Sequence, residues 1–151
     1  MYDVAVIGCG IVGAAAAYEL SRYNCRVLVL EAKNDVANVT TKANSAILHA
    51  GYDPTPGTLM AETNVRGVAL AKELCEKLDV EREEIGSLVL AFGEEDERHL
   101  EKLYQQGLAN GVPGIELLTA DEVHALEPNV SDKVTAALYA PTAAIVRPWE
   151  Y

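Results

Sequence analysis

Cysteine is scarce in this sequence. There are only three cysteines, at positions 9, 25 and 75, and none forms a CxxC pair or a cysteine–histidine cluster with metal-ligand spacing. This pattern excludes a disulfide-stapled scaffold and predicts no metal site. Sparse, unpaired cysteines are typical of a reducing compartment, so we expect a cytoplasmic location.

Basic residues are also few. Lys and Arg number 12 against 23 Asp and Glu, for a formal net charge of -11. This balance disfavours nucleic acid or an anionic membrane surface as the main partner. No apolar run approaches the ~20 residues of a membrane span, which leaves only peripheral membrane association open. We expect no signal peptide, because Tyr2 already begins the pattern of a strand.

The first thirty residues have the pattern of a strand–helix–strand unit. Tyr2–Ile7 is a short apolar run that predicts a strand buried on both faces. Ile11–Tyr23 is rich in alanine and predicts a helix that ends with Asn24 in the left-handed conformation. Arg26–Glu31 predicts a second buried strand. The order implies a parallel sheet with a right-handed crossover, and hence an α/β fold of the Rossmann type.

Three glycines occupy the turn between the first strand and the helix. Gly8, Gly10 and Gly13 have the GxGxxG spacing, in "AVIGCGIVG". Gly8 permits the turn, Gly10 allows close approach of a phosphate, and Gly13 allows the helix to pack on the strand. Backbone amides at the start of the helix, including Ile11 and Val12, then face a pyrophosphate at the positive end of the helix dipole.

An acidic residue stands at the end of the second predicted strand. Glu31 follows the glycines by about 20 residues, the sequence spacing at which dinucleotide-binding proteins carry the acid that binds the adenosine ribose. Ala32 is next to it and is expected at the same site. A carboxylate there repels a 2′-phosphate, which disfavours NADP. The strand, the helix and the acid together predict a dinucleotide site, although the alternative of packing glycines alone remains for each glycine.

The rest of the chain changes in character. A polar segment at 33–46 lacks periodicity and is too long for a plain connection, so we expect it to be functional. Thr58–Leu78 predicts a long amphipathic helix, and the remainder has a mixed α+β pattern that includes a capping box at Thr119 and Glu122. We predict residues 1–83 as the first segment of a cofactor domain and 84–151 as the beginning of a substrate domain. No second half of the dinucleotide sheet is visible, so we expect an N-terminal part of a longer protein.

Two stretches resemble the D-amino-acid-oxidase-like superfamily of FAD-dependent oxidoreductases. The N-terminal glycine pattern followed by "VLVLE" is the first. The second, "TTKANSAILHAGYDPTPGTLMAETNVRG", resembles the subgroup of glycerol-3-phosphate and L-2-hydroxyglutarate dehydrogenases. Ala46 and Met60 depart from the family pattern, where Gly and Lys are usual. The matching positions are Asn44, Ser45, Ile47, Leu48, His49, Ala50, Gly51, Pro56, Gly57, Leu59 and Ala61.

The resemblance implies FAD as the cofactor and assigns site residues. In this family the segment after the ribose acid runs along the pyrophosphate and ribityl chain, which implies contacts from Thr40, Thr41, Lys42, Asn44 and Ser45; self-capped turns are the alternative for each. His49 is implied to lie near the flavin on the substrate side. There it either takes the proton of a substrate hydroxyl as hydride passes to the flavin, or only forms hydrogen bonds with the backbone or flavin.

The resemblance further implies oxidation of a secondary alcohol, as in glycerol-3-phosphate dehydrogenase. A 2-hydroxy acid such as L-2-hydroxyglutarate, or an amino acid, is the alternative substrate. A non-catalytic nucleotide-binding or assembly module is the alternative of another class. We expect a small-molecule substrate that carries a phosphate or a carboxylate, and an electron acceptor of unknown kind. Whether the protein forms a homo-oligomer stays open. Arg147 is either a ligand of the substrate anion or a surface residue, and His99 and His124 are expected at the surface.

Overall fold

The computed structural model describes residues 1–150, which form two compact units. The first contains Met1–Ala46 together with the segment that starts at Arg147, and the second contains Ile47–Val146. The boundary between these units falls at residues 46 and 47. The assignment of residues 1–83 and 84–151 to a cofactor and a substrate domain concerns function and stays a prediction.

The first unit is the predicted strand–helix–strand unit. Strand β1 spans Val4–Ile7, helix α1 spans Ile11–Leu20 and strand β2 spans Val27–Leu30. The two strands are parallel, with Val4 opposite Val27 and Ile7 opposite Leu30. The predicted α/β arrangement with a parallel pair is therefore confirmed.

The end of α1 differs from the prediction. The helix stops at Leu20 with Ser21 as a right-handed cap, and Asn24 is not among the residues with positive φ. The backbone amide of Ser21 donates to the carbonyls of Ala17 and Tyr18, and the Ser21 hydroxyl also donates to Tyr18. The amides of Arg22 and Tyr23 donate to the last two carbonyls of the helix, at Glu19 and Leu20, so no left-handed residue is needed.

Both strands of the first unit are partly exposed. Alternate residues of β1 are exposed, and Ile7 is 86% exposed. Helix α1 packs against both strands and covers the other side. The prediction that both strands are buried on both faces is therefore wrong for the described residues.

The second unit combines three helices with two antiparallel sheets. One sheet has the order β3-β8-β4 and the other has the order β5-β7-β6. The elements are β3 Ile47–Leu48, α2 Leu59–Leu78, β4 Arg82–Glu83, β5 Ser87–Ala91, α3 Glu94–Asn110, β6 Glu116–Thr119, α4 Ala120–Leu126, β7 Ala136–Ala140 and β8 Ala144–Val146.

Local capping explains the bounds of these helices. The side chain of Thr58 accepts from the Ala61 amide at the start of α2. Thr119 and Glu122 form the predicted capping box of α4. Gly111, in the left-handed conformation, ends α3. Each helix therefore starts or stops where the sequence supplies a partner for otherwise unpaired backbone groups.

The core of the second unit lies between α3 and the β5-β7-β6 sheet. Leu100 and Leu138 are almost completely buried there, and Gly107 of α3 lies so close to Ile115 that a Cβ would collide with that side chain. A second cluster forms around Val123 of α4. Among residues 1–150, no helix is long and apolar enough to cross a membrane.

Candidate cofactor site

The turn between β1 and α1 has the geometry that the glycine spacing predicts. Gly8 has φ +94°, a conformation that L side chains rarely adopt. A Cβ on Gly13 would collide with the carbonyl oxygen of Gly8, so the first turn of α1 lies directly against the end of β1. The Gly8 amide donates to the Leu30 carbonyl at 2.7 Å, which fixes the turn to the second strand.

Unpaired donors are concentrated at the start of α1. Within the described residues, the amides of Gly10, Val12 and Gly13 have no hydrogen-bond acceptor, while the Ile11 amide donates to Oγ1 of Thr41 at 3.0 Å. Acidic residues are absent from this first turn. Free amides at the positive end of a helix dipole fit a bound anion such as a pyrophosphate.

Glu31 lies beside the glycine turn. Its Oε2 accepts from the Cys9 amide at 2.8 Å and its Oε1 accepts from the Lys33 amide at 2.9 Å. These hydrogen bonds, that to Cys9 first, lower the pKa of the Glu31 carboxyl below its ordinary value. The group therefore stays anionic near neutral pH and is held at the end of β2. Ala32, the next residue, is exposed.

The polar segment at 33–46 has no helix or strand, and it folds back on the glycine turn. The Ala37 amide donates to the Cys9 carbonyl at 2.9 Å, with Ala37 at φ 54°. A Cβ on Gly10 would lie 3.1 Å from Oγ1 of Thr41. Ala37 could not be identified from the sequence, because an alanine with positive φ is rare and no side-chain pattern marks it.

Asn44 stabilises the same segment. Its Nδ2 donates to the carbonyls of Thr40 and Thr41 at 3.0 and 2.7 Å, and its Oδ1 accepts from the Ala46 amide at 2.7 Å. This is the self-capped turn that was the alternative for Asn44, and it turns the chain at Ala46, where φ is 63°. Ala46 thus adopts a left-handed conformation that glycine adopts without strain.

Three other predicted contact residues are available to a ligand. Thr40, Lys42 and Ser45 are exposed, and within the described residues their side chains form no hydrogen bond or ion pair. The first unit thus brings together the glycine turn, Glu31 and Thr41, and leaves short polar groups and one cation on the adjoining loop.

His49 belongs to the second unit, directly after β3. Its side chain is exposed, and its carbonyl accepts a hydrogen bond from Nδ2 of Asn64 on α2. The following residues are buried: Ala50 is 1% exposed, and Gly51 has φ +108°. An exposed imidazole on a firmly held backbone can serve as a proton acceptor for a ligand.

The remaining candidates have simpler surroundings. His99 is exposed on α3, and His124 is half-buried in the last turn of α4. Arg147 forms an ion pair with Glu150 at 3.3 Å. Across residues 1–150, no group of three His, Cys, Asp or Glu side chains is placed to hold a metal ion.

Comparison with known proteins extends this description. The chain is 51% identical over its whole length to glycerol 3-phosphate dehydrogenase of Caloramator mitchellensis, of which it covers 32%. It is 34% identical to the mitochondrial L-2-hydroxyglutarate dehydrogenase of Dictyostelium discoideum over 97% of the chain and 33% of that protein. The chain therefore spans about a third of the length of these relatives.

A solved structure shows the same fold. Dithionite-reduced L-α-glycerophosphate oxidase from Mycoplasma pneumoniae with FAD bound superposes with a TM-score of 0.88 and 35% identity, over 97% of this chain and 39% of that one. The protein-family model for FAD-dependent oxidoreductases of the DAO type matches residues 3–151. The glycine turn, the anchored Glu31 and this match identify the chain as a member of the DAO family of FAD-dependent oxidoreductases.

Proposed function

We propose that the protein to which this chain belongs oxidises a small secondary alcohol that carries a phosphate, with glycerol 3-phosphate as the first candidate. The observation that carries the proposal is the set of unpaired amides at the start of α1 beside an anchored Glu31, in a chain 51% identical to a glycerol 3-phosphate dehydrogenase. Because the chain spans about a third of that relative, the proposal concerns the whole protein.

The glycine turn would hold the pyrophosphate of FAD. The amides of Gly10, Val12 and Gly13 are free to donate. If the loop shifts, the Ile11 amide would donate to a phosphate oxygen instead of to Oγ1 of Thr41. Gly8 contributes the turn itself. Glu31 would accept hydrogen bonds from the adenosine ribose while it keeps its hydrogen bond from the Cys9 amide, and exposed Ala32 adjoins it.

The polar loop would follow the cofactor from the pyrophosphate to the ribityl chain. Thr40, Lys42 and Ser45 offer exposed hydroxyl groups and one ammonium group for phosphate and ribityl oxygens. Thr41 and Asn44 shape the loop through their own hydrogen bonds. Only those of their donor and acceptor groups that these bonds leave free would contact the cofactor.

His49 would act as the general base. When bound, the flavin supplies a hydride acceptor for the substrate carbon. The imidazole of His49 takes the hydroxyl proton, so that the alcohol becomes a ketone. A histidine suits this task because a neutral imidazole has a ring nitrogen that accepts a proton, and such proton transfer contributes roughly 100- to 10,000-fold in rate.

The alternative substrate is a 2-hydroxy acid such as L-2-hydroxyglutarate, because a relative at 34% identity is named for that activity. Both candidates are secondary alcohols with an anionic group, so the same base serves both. We also propose a cytoplasmic location, on the sparse, unpaired cysteines. The proposal leaves open whether the electron acceptor is that of a dehydrogenase or that of an oxidase.

Flavin content and flavin bleaching test the proposal. The full-length protein should be yellow, or become so with added FAD, and anaerobic glycerol 3-phosphate should bleach the flavin faster than L-2-hydroxyglutarate. His49→Ala should slow this reduction about 100-fold or more and leave FAD affinity within twofold. A protein that stays colourless after reconstitution with FAD would instead be a nucleotide-binding or assembly module without turnover.

A further inference from the structure

The segment that follows the candidate base has an unusual set of hydrogen bonds. Residues 49–54, which we call the post-histidine segment, lie outside every strand and helix. Its carbonyl groups accept from side-chain amides. Nδ2 of Asn110 donates to the carbonyls of Gly51 and Pro54, at 2.9 and 2.8 Å. Nε2 of Gln106 donates to Tyr52 and Asp53, at 3.3 and 3.2 Å.

The carbonyl of His49 is held in the same way. It accepts from Nδ2 of Asn64, which lies on α2, whereas Gln106 and Asn110 lie one turn apart on α3. Three carboxamides on two helices thus serve five of the six carbonyl groups of the segment. Ala50, Gly51, Tyr52 and Pro54 are buried, so without these donors most of these carbonyls would lose their hydrogen bonds away from water.

Close packing leaves the segment little room. A Cβ on Gly51 would lie 2.7 Å from Cγ2 of Val65 on α2, and a Cβ on Gly107 of α3 would lie 3.2 Å from Cβ of Tyr52. Tyr52 is 7% exposed, and burial raises the pKa of its phenol. The small residues allow the backbone to approach both helices closely enough for short carboxamide side chains to reach it.

We propose that Asn64, Gln106 and Asn110 are positioning residues that hold the backbone from His49 to Pro54 and thereby fix the place of the His49 imidazole. This inference rests on the proposed role of His49 as base. The imidazole itself is exposed and, within the described residues, has no hydrogen-bond partner of its own, so the backbone on either side of its Cα sets the point from which the side chain extends. The carboxamides donate to carbonyls and carry no charge, so they position without changing the charge near a substrate.

The test uses the full-length protein loaded with FAD and measures the anaerobic rate of flavin reduction at saturating substrate. Asn110→Ala and Asn64→Ala should each slow reduction at least tenfold. Gln106→Ala, which loses the longer bonds, should slow it less. The matched control is Gln105→Ala, on the same helix but bound to Glu101 at the surface, and it should leave the rate within twofold.

A double variant separates positioning from general damage. If Asn110 acts through His49, Asn110→Ala should cause no further loss in a His49→Ala background. Losses that multiply in the double variant would overturn the proposal, as would an unchanged rate in Asn110→Ala and Asn64→Ala.

Hydrogen exchange supplies a readout that does not depend on activity. Amides of residues 49–53 should exchange at least tenfold faster in Asn110→Ala than in Gln105→Ala, while the flavin absorbance is unchanged. If His49→Ala reduces its flavin at the normal rate, the role of His49 as base fails, and the positioning role fails with it. Faster exchange would then still show that the carboxamides hold the segment. Unchanged exchange would overturn the holding role itself.

Discussion

The backbone amide of Cys9 donates to Oε2 of Glu31 at 2.8 Å, across 22 residues of sequence. The bond joins the glycine turn after β1 to the end of β2, so the two parts of the dinucleotide motif hold each other in place. The second carboxylate oxygen accepts from the Lys33 amide, and lone pairs on both oxygens remain for a ribose. Glu31 therefore organises the turn as well as offering an acceptor.

Glu31→Gln should weaken FAD binding about tenfold or more. The amide nitrogen that replaces one carboxylate oxygen cannot accept from Cys9 or Lys33, and the neutral side chain is a weaker acceptor than the carboxylate. Titration of the full-length apoprotein with FAD, followed by flavin fluorescence, measures the dissociation constant. Glu19→Gln, on exposed α1 and paired with Arg22, is the matched control. Equal affinities of the two variants would remove Glu31 from the site.

Gly13→Ala should destabilise the protein by about 1–3 kcal/mol, because its methyl group would collide with the Gly8 carbonyl and force α1 away from β1. FAD affinity should fall as well. Gly67→Ala is the control, since Gly67 lies inside α2 with open space around it. That substitution should stabilise the helix by about 0.5–1 kcal/mol. Thermal unfolding of both variants measures the difference. An unchanged unfolding temperature for Gly13→Ala would contradict the close approach of Gly13 to the Gly8 carbonyl.

Ala46→Gly should be more stable than Ala43→Gly by about 1–2 kcal/mol. Both changes add the same freedom to the unfolded chain, but Ala46 alone of the two has positive φ, where a Cβ is strained. Midpoints of thermal unfolding for the two variants give the comparison. Similar midpoints would show that the left-handed conformation of Ala46 carries no strain in solution.

Glu122→Gln should reduce stability at pH 6 and have little effect at pH 3. The backbone amide and the hydroxyl of Thr119 donate to the Glu122 carboxylate and lower its pKa below the ordinary 4.5. A carboxyl with a lowered folded pKa stabilises the protein fully above 4.5, and this stability is lost as pH falls through the folded pKa. Urea unfolding at both pH values measures it, with exposed Glu116→Gln as control. A loss at pH 3 as large as at pH 6 would contradict the assignment.

Features that depend on nearby residues could be predicted from the sequence. Glycines, Thr58 and the Thr119–Glu122 pair mark the ends of strands and helices, because capping groups act within one turn. α3 likewise ends at Asn110, directly before Gly111 in the left-handed conformation. The glycine turn and Glu31 could be linked because the spacing of a strand–helix–strand unit fixes where an acid at the second strand lies.

Features that depend on distant pairing could not be predicted. β3, β4 and β8 have two or three residues each, too few for a period to show, and they exist only through their partners. Gln106 and Asn110 read as polar residues of an amphipathic helix, and nothing nearby indicates that they bind carbonyls more than 50 positions earlier. The positive φ of Ala37 follows from its bond to Cys9, which is likewise remote in sequence.

The pairing of β3 with β8 has a consequence for synthesis of the protein. Ile47 lies opposite Ile145 and Leu48 opposite Ala144, so this ladder cannot close until residue 145 has left the ribosome. At ~5–20 residues per second, the interval after Leu48 is on the order of ten seconds. The nascent β1–α1–β2 unit can form much earlier, whereas the strand that leads into His49 waits for a partner made late. Mutations in β8 should therefore lower the yield of newly made active protein more than mutations of equal cost in α1.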